Sequence, residues 1–257
     1  MSKRKVTTRK KSFTSDAILV LNETRKKELR QSRDYKKTRK ILDNMFVNIA
    51  KLRTKAGPTL PSEYVFHTEY PIFKKNCREM WRKWKEAQRI SRILRELKTE
   101  VRYPNDELKS MANMLAYLGL VESLGVTMMD MMLLFLMAHG RELHTRGYPT
   151  KHVETFEELE KVWNLDYKLS FLNSSGLSIF KKKIVDTKTR NIIAHLNFTI
   201  EKNTGVIRGR RNKIIDINEK ISNFWEGIDT LDLVLEDIGF LGWLKQKVLG
   251  YESESLG

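Results

Sequence analysis

The chain has 257 residues, of which 40% are hydrophobic, enough to bury a substantial core in one large domain or two small ones. A single cysteine, Cys77, excludes an intramolecular disulfide framework and a cysteine-rich zinc site. The net charge of +16 resides in the first hundred residues, which hold 28 basic and 11 acidic side chains, whereas the rest hold 20 and 21. This asymmetry predicts that the N-terminal part binds a polyanion and that the neutral part has another role.

The first hundred residues are predicted to be largely helical. Residues 1–12 are a basic tail with little apolar content, and a helix is expected from Ser15. The almost wholly polar stretch from Thr24 to Lys40 is expected either to face solvent or to lie on an acidic partner. Apolar residues then recur at helical spacing from Ile41 to Leu52, which indicates a helix that packs, and Gly57-Pro58 ends it.

A second basic helix is predicted from Asn76 to Lys98. One of its faces is apolar, and arginine and lysine cover the rest of its surface. Such a helix suits nucleic acid, a membrane surface or an acidic protein, and the alternative is a merely solvated face. We favour nucleic acid, and the candidate contacts on this helix are Arg78, Arg82, Lys85, Arg89 and Arg92.

A turn at Tyr103-Pro104 places a domain boundary after residue 104. We therefore expect a basic helical N-terminal region over residues 1–104 and a helical domain over residues 105–257. The fold class predicted for the whole chain is all-α, a helical bundle with a short β-hairpin late in the sequence.

The stretch from Glu107 to about Leu143 is too densely apolar for a helix with one buried face. It is expected at the centre of a bundle or in a dimer interface. Glu122 and Asp130 would be expensive in lipid, so we expect one or two buried helices and no membrane span. Glu122 is expected to pair with a basic group or to lie near a cleft, and we prefer pairing with an internal arginine.

Thr155 and Glu158 predict a capped helix through about Trp163, and a further helix is expected within residues 177–195. Directly after His195 the pattern changes, because residues 197–200 and 213–217 resemble two short strands. The helix is therefore expected to end at His195. Three arginines near the connection between these strands are further candidate nucleic-acid contacts: Arg208, Arg210 and Arg211. A final helix is expected over residues 219–249.

The hexapeptide Arg190-Asn191-Ile192-Ile193-Ala194-His195 carries the chemistry that stands out in this sequence. An arginine holds a phosphate through two parallel donors, and a histidine takes or gives a proton near neutral pH. On one continuous helix the two side chains would lie about 140° apart in azimuth. They can meet one phosphate only if the helix ends near His195 or if a second chain supplies the other half. The alternative is a structural role, with Arg190 at a helix end and His195 beside it.

The hexapeptide resembles the signature of the HEPN superfamily, an arginine followed after four to six residues by a histidine. A polar residue often follows the arginine and a small residue often precedes the histidine, and Asn191 and Ala194 fit these positions. The resemblance covers roughly residues 105–248 and outside the hexapeptide depends on the helical pattern. It implies a helical bundle with the signature late in the chain.

For HEPN ribonucleases the resemblance implies a symmetric homodimer in which two signatures face one composite cleft. RNA would be cleaved without metal or cofactor by attack of its own 2′-hydroxyl, with His195 as acid and base. Arg190 would bind the scissile phosphate, and Asn191 would orient the histidine or hold a phosphate oxygen. Such a protein would be a toxin or an antiviral defence effector, with an antitoxin or regulatory protein as a possible partner.

Three function classes stay open from the sequence. The first is a metal-independent endoribonuclease, the second a non-catalytic HEPN-like RNA-binding or regulatory module, and the third a scaffold whose basic half binds an acidic protein or lipid surface. The five histidines show no spacing suited to a metal site, so no metal is expected. The single cysteine indicates a reducing, cytoplasmic setting, and the basic N-terminus is not followed by an apolar segment of signal-peptide length.

Overall fold

The computed structural model of the chain describes residues 21–55, 70–100, 102–138 and 164–241. Within these ranges the fold is helical with one two-stranded hairpin, which confirms the predicted fold class. The helices are α1 (Glu23–Gln31), α2 (Arg33–Lys55), α3 (Tyr70–Glu100), α4 (Asp106–Leu120), α5 (Val126–Ala138), α6 (Leu165–Ser174), α7 (Thr187–Ala194) and α8 (Ile217–Asp237). The strands are β1 (Thr199–Ile200) and β2 (Ile207–Arg208).

Asparagine and aspartate side chains cap the N-termini of several helices. Asn22, Asn105, Asn164 and Asp216 each accept a hydrogen bond from a backbone N–H in the first turn of the helix that follows. Such a cap satisfies a donor that has no partner within the helix and contributes about 1 kcal/mol. These four side chains therefore mark the residues at which the helices begin.

A π-helical turn at Val121–Gly125 joins α4 to α5, and a second one at Phe180–Ile184 precedes α7. The α5 side chains Met128, Met129, Met131 and Met132 are fully buried, as expected for the central apolar segment. By length and composition the stretch Asp106–Leu133 could cross a membrane, but 56% of its most apolar window is buried inside the fold.

Helix α8 crosses the centre of the bundle and touches the second π-helical turn very closely. A Cβ atom added at Gly227 would lie 2.7 Å from Cγ1 of Ile184, so only glycine fits there without displacing that turn. Phe224, Leu231 and Val234 of α8 are fully buried. This contact fixes the segment that leads into α7, and therefore the position of the hexapeptide.

The helices of the N-terminal region share one hydrophobic core with the rest of the described chain. Leu42, Met80 and Trp84 belong to the same buried cluster as α5 and α8. The polar stretch that begins at Thr24 does lie on an acidic surface, which belongs to the same chain. Arg30 donates two hydrogen bonds of 2.7 and 2.9 Å to Asp237, and Lys26 Nζ lies 2.8 Å from Glu236 Oε1. Part of the basic excess is therefore used in contacts within the fold.

The predicted hairpin is present, but its second strand was wrongly assigned. Strand β1 pairs antiparallel with β2, which lies within the arginine-rich connection, whereas residues 213–216 form an extended approach to α8. Ile214 makes a single bridge to Arg208. A tight turn decides the pairing, because Glu201 N–H donates to Val206 O and Gly205 N–H donates to Glu201 O. Gly205 has a positive φ of 65°, which suits this turn.

Several expectations lie outside the described residues. They are the basic tail, the helix start at Ser15, the loop at Gly57-Pro58 and the capped helix through Trp163. The predicted final helix is present and begins at Ile217, two residues before the predicted start, but it ends at Asp237. Residues 238–239 form a turn in which Gly239 has a positive φ of 78°, so the prediction of one continuous helix through residue 249 is wrong.

Candidate active site around Arg190 and His195

Helix α7 carries the hexapeptide and begins at a strongly held cap. Asp186 accepts hydrogen bonds from the N–H groups of Lys188 and Thr189, and Lys220 of α8 lies 2.9 Å from its second oxygen. Burial alone would raise the pKa of Asp186, but the hydrogen bonds from Lys220 and Thr189 outweigh it and hold that pKa below its usual value. The Asp186 N–H also donates to the buried Tyr117 hydroxyl of α4, 3.3 Å away. The start of α7 is thus tied to both α4 and α8.

The helix ends at His195, as the change of pattern in the sequence predicted. His195 is the C-cap, Leu196 N–H donates to Ile193 O, and Asn197 N–H donates to Ile192 O. This pair of bonds is a Schellman motif, in which the residue after the cap adopts a left-handed backbone. That residue is usually glycine, but here it is Leu196 with φ 54° and a side chain that is 74% exposed. His195 is exposed as well.

Arg190 is held on the side of α7 that faces α4. Its Nε donates to Glu122 Oε1 at 2.6 Å, and its Nη1 donates to Asn191 Oδ1 at 3.0 Å. Glu122 lies in the π-helical turn after α4, and such turns are frequent at functional sites. The preferred expectation that Glu122 pairs with an arginine is confirmed. Its partner is the arginine of the hexapeptide.

His195 and Asn191 line a groove of about 840 Å³ between α7, the segment 209–216 and the first turn of α8. The two residues are four apart, so they lie on one face of α7. The Arg190 side chain does not line this groove. The charged residues that do are the cations Lys188, Arg210, Arg211, Lys213 and Lys220 and the carboxylates Asp186, Asp216 and Glu219.

The three arginines predicted near the hairpin connection occupy two different environments. Arg208 is engaged within the hairpin, because its Nε donates to Glu201 Oε1 at 2.7 Å. Arg210 and Arg211 lie in a 3-10 turn, are exposed, and line the groove beside His195. The structure therefore brings two of the three predicted arginines next to the hexapeptide.

The basic face of α3 is separate from the groove. Arg78, Arg82, Lys85 and Arg89 are exposed and Arg92 is partly buried, and none of the five lines the groove. Two of them contact neighbours on the same helix, Arg89 through an ion pair of 2.6 Å with Glu86 and Lys85 through the face of Trp81.

Sequence reasoning missed several groove residues. Lys188 and Lys213 flank the hexapeptide and the hairpin in the sequence, and the signal that could have found them is that proximity. Ile214 was predicted to lie in a strand, and the structure shows its side chain 59% exposed in the groove. In the described part of the chain, no three His, Cys, Asp or Glu side chains are arranged to hold a metal ion.

Comparison with known proteins gives no further guidance. No family model matches this chain, and no curated protein and no solved structure matches it either. The HEPN resemblance therefore depends on the hexapeptide and stays a prediction.

Proposed function

We propose that this chain is a metal-independent endoribonuclease that acts through Arg190, Asn191 and His195. The observation that carries the proposal is the position of His195 at the end of α7, exposed in a groove lined by cations. An exposed imidazole next to a site for phosphate is the arrangement that general acid–base cleavage requires. Asn191 connects the groove beside His195 to Arg190, because it lines the groove and its Oδ1 accepts a hydrogen bond from Arg190.

The proposed reaction uses the RNA's own 2′-hydroxyl as nucleophile. His195 removes the proton from this hydroxyl, the oxygen attacks the adjacent phosphorus, and the imidazolium formed on His195 gives a proton to the departing 5′-oxygen. The products are a 2′,3′-cyclic phosphate and a free 5′-hydroxyl. DNA lacks the nucleophile and can only bind.

A second copy of the chain is proposed to complete the site. Arg190 lies on the α4 side of α7 and His195 faces the groove, so one chain presents the two groups in different directions. The α4 residues Leu108, Met111 and Leu115 are exposed at helical spacing, with Leu115 57% exposed, on the helix that leads into Glu122. Contact between two such apolar stripes would bring the Arg190–Glu122 pair next to the partner.

The decisive experiment is cleavage of end-labelled single-stranded RNA in EDTA. We expect cleavage with 2′,3′-cyclic phosphate ends, its loss in His195→Ala and His195→Gln, and RNA binding largely retained in both. Circular dichroism should show an unchanged fold, because His195 is exposed. Undiminished cleavage by either variant would remove His195 from the mechanism.

Complementation tests the shared site. Arg190→Ala and His195→Ala, each inactive alone, should recover cleavage when mixed if the arginine of one copy serves the histidine of the other. Leu115→Glu should prevent dimerisation in light scattering and abolish cleavage, whereas Ile93→Glu, at an exposed isoleucine on α3, should not. A fully active monomer would contradict the composite site.

A non-catalytic RNA-binding module is the second candidate, and one observation favours it. Glu122 already balances the charge of Arg190, which reduces its attraction for a phosphate. Salt-dependent RNA binding without cleavage, unaffected by His195→Ala, would support this reading instead.

A further inference from the structure

The groove beside His195 contains cations that the fold does not use. Lys220 pairs with Asp186, but Lys188, Arg210, Arg211 and Lys213 have no carboxylate within ion-pair distance among the described residues. Elsewhere in the described chain the cations Lys26, Arg30, Lys183 and Arg208 are paired with acids of other elements or strands. The lining also contains the carboxylates Asp216 and Glu219, so its five cations exceed its three carboxylates by two. This excess of positive charge is available to a ligand.

The turn that presents Arg210 and Arg211 is strained and firmly attached to α7. Arg211 and Asn212 have positive φ values of 58° and 59°, which costs a non-glycine residue of order 1 kcal/mol each. Gly209 N–H donates to Lys213 O and closes the turn. A Cβ atom at Gly209 would lie 3.2 Å from Ile192 Cδ1, so the turn packs directly on the hexapeptide helix. Strained backbone that the surroundings hold in place is common at binding sites.

An apolar surface lies beside these cations in the same groove. Ile214 is 59% exposed and Ile192 is half-buried, and both line the groove together with the amides of Asn191 and Asn197. A ligand that fits must therefore offer anionic groups, a flat apolar face and hydrogen-bonding edges close together. A nucleotide has all three, and single-stranded RNA exposes its bases for such contacts.

We propose that this groove is a subsite for one nucleotide of a single-stranded RNA, bound by a single chain without help from a second copy. Arg211, with Arg210 and Lys213, contacts the phosphate that neighbours the scissile one, and the base packs on Ile214 and Ile192. Asn197 faces the edge of the base. This proposal deepens the proposed function, because it rests on RNA as the substrate and assigns the groove to substrate positioning.

The test measures binding of a ten-nucleotide single-stranded RNA with 2′-O-methyl riboses, which cannot be cleaved by 2′-hydroxyl attack. Arg211→Gly should weaken binding about tenfold and reduce the slope of log affinity against log salt by about 0.7, as for one lost phosphate contact. Asn212→Gly is the matched control, because it relieves the same left-handed backbone without removing a charge. It should leave both quantities unchanged.

A second pair of variants tests the base contact. Ile214→Ala should weaken binding several-fold without changing the salt slope, because it removes apolar surface and no charge. Ile93→Ala, at an isoleucine that is 42% exposed on α3, should have no effect. An equal effect of both isoleucine variants, or none from either, would overturn the assignment of Ile214 to a base.

The outcomes separate this proposal from the proposed function. RNA binding with these dependences but without cleavage of ordinary RNA supports the subsite and removes the nuclease. Cleavage that requires His195 with binding unaffected by Arg211→Gly supports the nuclease and overturns the subsite. Failure of the wild-type protein to bind the RNA, or equal competition by polyglutamate with no effect of Ile214→Ala, overturns the subsite as well.

Discussion

The left-handed backbone at Leu196 gives a sharp prediction about stability. Leu196 follows His195 with φ 54° at the position of a Schellman motif that glycine usually occupies. We expect Leu196→Gly to be more stable than Leu196→Ala. This order reverses the usual one within regular structure, where alanine is favoured over glycine.

The magnitude follows from two opposing terms. A left-handed backbone costs a residue with a Cβ atom about 1–2 kcal/mol, and glycine loses about 0.5–1 kcal/mol more conformational entropy than alanine on folding. The difference leaves the glycine variant more stable by about 0 to 1.5 kcal/mol, which corresponds to at most about 3–6 °C in Tm for a domain of this size. Loss of the leucine side chain enters both variants equally, and since it is 74% exposed the loss is small.

Urea unfolding followed by circular dichroism measures this difference directly. The comparison between glycine and alanine cancels side-chain effects, so it reports the backbone alone. Greater stability of Leu196→Ala than of Leu196→Gly would show that His195 is not followed by a left-handed residue and would remove the Schellman geometry from the site.

Three further predictions concern charged groups. Lys168→Met should cost about 3–5 kcal/mol in urea unfolding, because it leaves the buried Asp130 without the ammonium group 2.6 Å away; a cost below 1 kcal/mol would contradict burial of the pair. Burial raises the pKa of Asp232 to about 7, so this group favours the folded state below pH 4 and loses that contribution as the pH rises to 7. Asp232→Asn should therefore gain stability over wild type at pH 8 by at most about 4 kcal/mol, and little at pH 4; an equal gap at both pH values would refute this. Glu122→Gln should change stability by less than about 1 kcal/mol, because the Glu122 and Arg190 side chains are 41% and 26% exposed, and it should tighten RNA binding if Arg190 contacts phosphate; unchanged affinity would argue against that contact.

Local features of the sequence correctly predicted where α7 ends and that Glu122 has a basic partner. The end of α7 at His195 follows from the abrupt change from helical to strand-like pattern, and the structure has the helix end there. Because Glu122 is an acidic residue within an apolar segment, a basic partner was predicted, and such a partner is present. Spacing could not show which arginine it would be, since 68 residues separate the two positions.

Features that depend on tertiary contacts could not be predicted from the sequence. The strand-like run at residues 213–217 has stronger β propensity than residues 207–208, but the turn closed by Gly205 fixes the partner of β1 first. The basic charge of the first hundred residues suggested an external polyanion. Part of this charge instead pairs with the acidic C-terminal end of α8. These residues are far apart in the sequence, so the pairing becomes visible only in the folded structure.

The π-helical turn at Val121–Gly125 makes the number of residues in this turn a requirement of the site. A π-helical turn holds about one residue more than an α-helical turn, so deleting one residue there would convert Val121–Gly125 into regular α-helix. Glu122 would then lose its present position, and the carboxylate that holds Arg190 would move. Homologous proteins that keep the same chemistry should therefore tolerate many substitutions in this stretch but no gaps, and an insertion or deletion would be a more informative lesion than any point mutation.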